Sequence, residues 1–146
     1  MTGRSKRRKA SGFEFQKFLK GLKMNARMVE VALQAWDAVG HLPVCTREVY
    51  DATEVLVDKV KSALRSIDGV HAVTWDHGSM GSIYFECYHD TDDHSVSVKF
   101  RVSNHKAGRR GNELAGGIVV GMGAEEIQRQ LDRVAPAISK ELSVLV

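Results

Sequence analysis

Tyr84 and Tyr88 share one parity in the short run SIYFECYH, and Lys99, Arg101, Ser103 and His105 share one across the run SVSVKFRVSN and the histidine that follows it. In extended backbone that spacing puts all six on one face, together with Glu86. A guanidinium fork, an ammonium, a hydroxyl and an imidazole are donors suited to anions. Tyrosine rings beside them can stack on bases or fill a protein pocket. The tract HKAGRRGN, which starts at His105, adds Lys106 and, between two glycines, Arg109 and Arg110. Glycine there lets the backbone approach a partner closely. A purely structural reading competes: Arg101 pairs with Glu86 across the two runs, and His105 closes a turn by local hydrogen bonds.

Other reactive residue types lack a partner set in the sequence. His89 and His94 bracket Asp90, Asp92 and Asp93, but on a turn-rich tip and at no spacing that marks a metal site, so no metal ligand is assigned. Gly121 and Gly123 before Ala124-Glu-Glu126 imitate a phosphate cradle. The third glycine of that motif is Glu126, which repels a pyrophosphate, and too few residues remain for a crossover strand. Ser79, Ser103, Cys45 and Cys87 carry no nucleophile signature around them. No catalytic residue and no cofactor is therefore expected.

The elements that must position these groups follow from periodicity. Strict alternation on both sides of Asp90–Asp93 reads as an antiparallel hairpin. Ile83, Phe85, Cys87, Val96, Val98, Phe100 and Val102 form its buried face, and the recognition residues its wet one. Before it, Phe15, Phe18, Leu19 and Leu22 share a helical face, interrupted near Gly21 and Asn25. A second helix then runs to Ala38. Thr46 caps a third, with its stripe at Val49, Thr53, Leu56, Val57, Val60, Leu64 and Ile67. Asp68-Gly69 turns into a first strand, Val70–Trp75. Leu114–Met122 stays open between a fourth strand and a packed extended segment. From Ala124 a last helix carries Ile127, Leu131, Val134, Ile138, Leu142 and Leu145, with Pro136 kinking it off the stripe. The expected fold class is α+β: N-terminal helices, a small antiparallel meander of three or four strands, and a C-terminal helix.

At 146 residues, residues 13–146 are one domain's worth, large enough for a core without disulfides or metals. No run of eighteen apolar residues and no secretory signal is visible, so a cytoplasmic protein without membrane contact is expected. Charge is unevenly spread. The first 27 residues hold nine Lys or Arg against Glu14, a net +8, whereas the remainder nets −5. Residues 1–12 read as a disordered basic arm carrying Arg4, Lys6, Arg7, Arg8 and Lys9. Such an arm meets polyanions, nucleic acid foremost, or merely solvates a terminus.

The residues Tyr84 and Val98-Lys-Phe-Arg101-Val-Ser103-Asn-His105 resemble a strand pattern of small, uncharacterised bacteriophage and mobile-element proteins. There an aromatic strand precedes one ending in Arg-[Ile/Val]-Ser-[Asp/Asn]-His. The resemblance covers about twenty residues and implies a phage-type context, in which short basic proteins bind nucleic acid or inhibit host machinery such as CRISPR complexes. Helix, three strands, helix is also the element order of a double-stranded-RNA-binding domain. This chain lacks that family's Lys-Lys-x-Ala-Lys helix start, which leaves topology alone.

Three functions are thus expected in order. The first is a non-enzymatic protein engaging DNA, RNA or a nucleoprotein through the arm, the wet face and the Arg109–Arg110 loop. The second is a protein–protein inhibitor of host defence using the same face. An enzyme acting on a phosphate-bearing substrate with His105 and Arg101 ranks third.

Overall fold

Apolar spacing of three and four residues builds the helices, and period two builds the sheet beneath them. The computed structural model describes residues 12–78, 81–105 and 116–143, with side chains from Asn25 onward. In chain order these form α1 (Gly12–Ala38), α2 (Arg47–Arg65), β1 (Ala72–His77), β2 (Ser82–Tyr88), β3 (Val98–Ser103), β4 (Gly116–Val119) and α3 (Ala124–Ser143). The fold is α+β, as expected. The arm residues 1–11, the loop 106–115 and Leu145 lie outside the described residues.

The break expected at Gly21 and Asn25 does not occur, because α1 runs through both. A mid-helix glycine costs only about 1 kcal/mol relative to alanine. Burial of Ala26, Val29, Ala32 and Leu33 against the core outweighs that. Thr46 caps α2 as expected, its Oγ1 accepting from the Val49 N–H at 3.4 Å. α2 buries Thr53, Leu56, Val57, Val60, Ala63 and Leu64; α3 buries Ile127, Leu131, Val134, Ile138 and Leu142. Pro136 sits inside α3 on its exposed side.

The sheet order is β1-β2-β3-β4. β1, β2 and β3 form the expected antiparallel meander, whereas β4 pairs parallel to β3, so the sheet is mixed. β1 starts two residues later than expected because the Val70 N–H is given to the Ile67 carbonyl at 3.1 Å, in the turn that leaves α2. Gly69, with φ +92°, makes that turn possible. Gly116 and Gly117 let β4 approach closely: a Cβ on Gly116 would overlap Val134 of α3, and one on Gly117 would lie 2.7 Å from the Arg101 carbonyl oxygen. Bare glycines thus let β4 lie close to both α3 and β3.

α2 packs on β1 and β2, α3 packs on β3 and β4, and α1 packs chiefly on α2 and α3. All three helices therefore lie on one side of the sheet. Ile83, Phe85, Cys87, Phe100 and Val102 face them and are at most 1% exposed. In register, Phe85 faces Phe100 and Ile83 faces Val102. The expected sorting of the hairpin into two faces holds at each of these positions.

Candidate functional site

The face turned away from the helices carries Tyr84, Glu86, Tyr88, Lys99, Arg101 and Ser103, and is drier than period two alone implies. Tyr88 is 6%, Arg101 8% and Ser103 1% exposed. The polar tract between β2 and β3 folds back over one end of this face. His94 stacks on the Tyr88 ring, with centroids 3.8 Å apart and planes 14° from parallel. The Tyr88 hydroxyl donates to Glu86 Oε1 at 3.1 Å and lies 3.2 Å from Thr74 Oγ1. Ser97 Oγ also donates to Glu86 Oε1, at 3.1 Å. Tyr88 is thus committed to the fold and is no open stacking platform. Lys99 remains exposed, opposite Glu86 in the register. Tyr84 is half-buried under the backbone of Gly78, where a Cβ would overlap its ring.

The other end of the face gathers Ser82, Arg101, Ser103, Asn104 and His105. The Arg101–Glu86 pair of the competing structural reading does not form, because Arg101 stands opposite Tyr84 in the register and Glu86 opposite Lys99. Instead the Arg101 Nε and Nη2 N–H groups both donate to Ser82 Oγ, at 3.1 and 3.0 Å. Nη2 also lies 3.1 Å from His105 Nε2. A guanidinium only donates, so Nε2 must be the acceptor and the ring proton must sit on Nδ1. That Nδ1–H donates to Asn104 Oδ1 at 2.7 Å. Ser103 Oγ in turn donates to the His105 carbonyl. His105 therefore helps to close the strand end locally, as the structural reading held, while it also holds Arg101.

Electrostatically the cluster is lopsided. The ion pairs among the described residues are Arg27–Glu30, Arg47–Asp51 and Asp58–Lys59. None involves Arg101, so a guanidinium more than nine-tenths buried has hydroxyl and imidazole partners and no described counter-charge. Burying an ion that way is costly unless an anion completes it. The chemistry such a cluster offers is that of a hydrogen-bond donor set suited to an anion.

Ser82 was not singled out in the sequence, although it shares the parity of Tyr84, Glu86 and Tyr88. Arg4, Lys6, Arg7, Arg8, Lys9, Lys106, Arg109 and Arg110 lie outside the described residues.

Nucleophile chemistry finds little footing among the described residues. Ser103 donates to a backbone carbonyl and Ser82 accepts from Arg101, so neither faces a histidine base. Burial pushes the Cys87 thiol up to about 12, which keeps it protonated and inert. Asp93 is held below its usual range by hydrogen bonds from Ser95, a turn contact at the hairpin tip. Among the described residues no three His, Cys, Asp or Glu side chains converge to hold a metal ion. No helix there is long and apolar enough to cross a membrane. No protein-family model, curated protein or solved structure matches the chain.

Proposed function

We propose that this protein is a non-enzymatic binding protein that engages nucleic acid or a nucleoprotein, using its basic N-terminal residues for affinity and the Arg101 cluster for phosphate recognition. The observation that carries the reading is the Arg101 guanidinium, 8% exposed, held by Ser82 and His105 and without a carboxylate among the described residues. A phosphate oxygen offered by a partner supplies the missing charge and accepts a short, charge-assisted hydrogen bond. Lys99, exposed on the same face, adds a point charge along the track. The net +8 of the first 27 residues supplies the long-range attraction that brings a polyanion to this surface.

The test is fluorescence anisotropy with labelled single- and double-stranded DNA and RNA, repeated over a range of salt. Binding should weaken linearly in log–log salt, and Arg101→Met should weaken it at every salt. Failure of all four probes to bind would overturn the proposal.

A further inference from the structure

A cleft of about 490 Å³ opens on the helical side of the molecule, away from the Arg101 cluster, between α1, the C-terminal end of α2 and α3. Its wall is apolar where Ala63, Ile67, Leu131 and Ala135 meet. Ala63, Ile67 and Leu131 are each under 9% exposed. A volume of several hundred Å³ with an apolar wall is what a small-molecule site requires.

The charged groups described around it are all acceptors. Asp68 and Asp132 both line the cleft, and neither is paired with a cation among the described residues. Pro136 lines it as well. Lacking an N–H, Pro136 gives nothing to the carbonyl of Asp132 one turn earlier, so that residue brings a second acceptor to the same wall. Gln128 donates its amide N–H to Asp132 Oδ1 at 2.9 Å, which fixes the amide orientation. Its buried Oε1 then has no hydrogen-bond partner among the described residues. Finally, α2 ends at this cleft and points the negative end of its dipole toward it. No Lys, Arg or His is among the described residues that line it.

We propose that this cleft binds a small organic cation, a protonated primary amine on an apolar body. The ammonium sits at the Asp132 wall, where its N–H groups meet the carboxylate and the proline-freed carbonyl, while Asp68 and the α2 C-terminus add negative potential. The apolar body lies against Leu131, Ile67 and Ala135. Carboxylates and phosphates of the same shape are repelled by the same groups.

The experiment is isothermal titration of the full chain with three probes of matched shape: 2-phenylethylammonium, 2-phenylethanol and 3-phenylpropanoate. The ammonium should bind at least ten-fold more tightly than the alcohol, and the acid should not bind. Asp132→Asn, a change at an exposed position, should weaken the ammonium several-fold without moving the melting temperature. Ala135→Phe should block all probes by filling the cleft. Equal binding of acid and amine, binding indifferent to both variants, or no binding of the ammonium would each overturn the proposal.

Discussion

Phe100 and Arg101 are neighbours in β3 that point to opposite sides of the sheet, so substituting each by alanine separates packing from recognition. Phe100 is fully buried opposite Phe85. Phe100→Ala removes that contact and leaves a cavity, a loss of about 3–5 kcal/mol. At roughly 3 °C per kcal/mol for a chain of this length, the melting temperature should fall by about 9–15 °C. Arg101→Ala involves two opposed effects. The charge-assisted bonds to Ser82 disappear, a loss of about 1.5–3 kcal/mol. Removing a buried charge that lacks a counter-ion among the described residues returns a desolvation cost of similar size. The net change should stay within about 1 kcal/mol and the melting shift within about 3 °C. Thermal melts followed by circular dichroism, run beside the anisotropy assay, measure both halves. Phe100→Ala should bind normally below its melt, and Arg101→Ala should melt normally and bind poorly. If Arg101→Ala melts as low as Phe100→Ala, the guanidinium is charge-balanced inside the fold, and its assignment to an incoming phosphate is refuted.

Deleting residues 1–11 removes five cations, so the log–log salt slope for duplex DNA should flatten by about four to five units; an unchanged slope would take the arm out of the interface. Cys45 is exposed and Cys87 buried, so a thiol reagent at neutral pH should titrate one cysteine in the native protein and two in denaturant. The same burial predicts an alkaline effect. Above its ordinary value of 9.0 the unfolded thiol ionises, while the folded one stays protonated to about 12. Stability contributed below pH 9 is therefore lost as pH rises, by about 1.4 kcal/mol per pH unit, and Cys87→Val should flatten that limb in denaturant melts. Gly117→Ala should destabilise the sheet, since its Cβ would meet the Arg101 carbonyl at 2.7 Å; an unchanged melt would mean that β4 shifts without cost.

Alternation was the strongest signal in the sequence, and it sorted the hairpin correctly from Ile83 to Val102 because one face is packed against helices. It says nothing about what covers the other face. Alternation puts Tyr88, Arg101 and Ser103 on a wet face, yet all three are buried, because the tract from His89 to Ser97 folds back on one end and local hydrogen bonds close the other. For Arg101 alternation gives the right face but not the burial, and the competing pair with Glu86 does not form. Register decides that: Glu86 meets Lys99, and only a paired ladder reveals that Arg101 lies beside Ser82. The stripes of α2 and α3 were legible because each helix buries a single face. The continuity of α1 and the parallel pairing of β4 were not, since both depend on contacts between distant segments that override a glycine's local preference.

The most direct measurement is the ¹⁵N side-chain spectrum of Arg101, assigned by comparison with Arg101→Lys, while an oligonucleotide is titrated to saturation. The Arg101 guanidinium resonances should shift with the same midpoint as the anisotropy, and an uncharged-backbone analogue should leave them in place. An oligonucleotide that saturates the protein while the Arg101 resonances stay unmoved would contradict phosphate recognition by the Arg101 cluster.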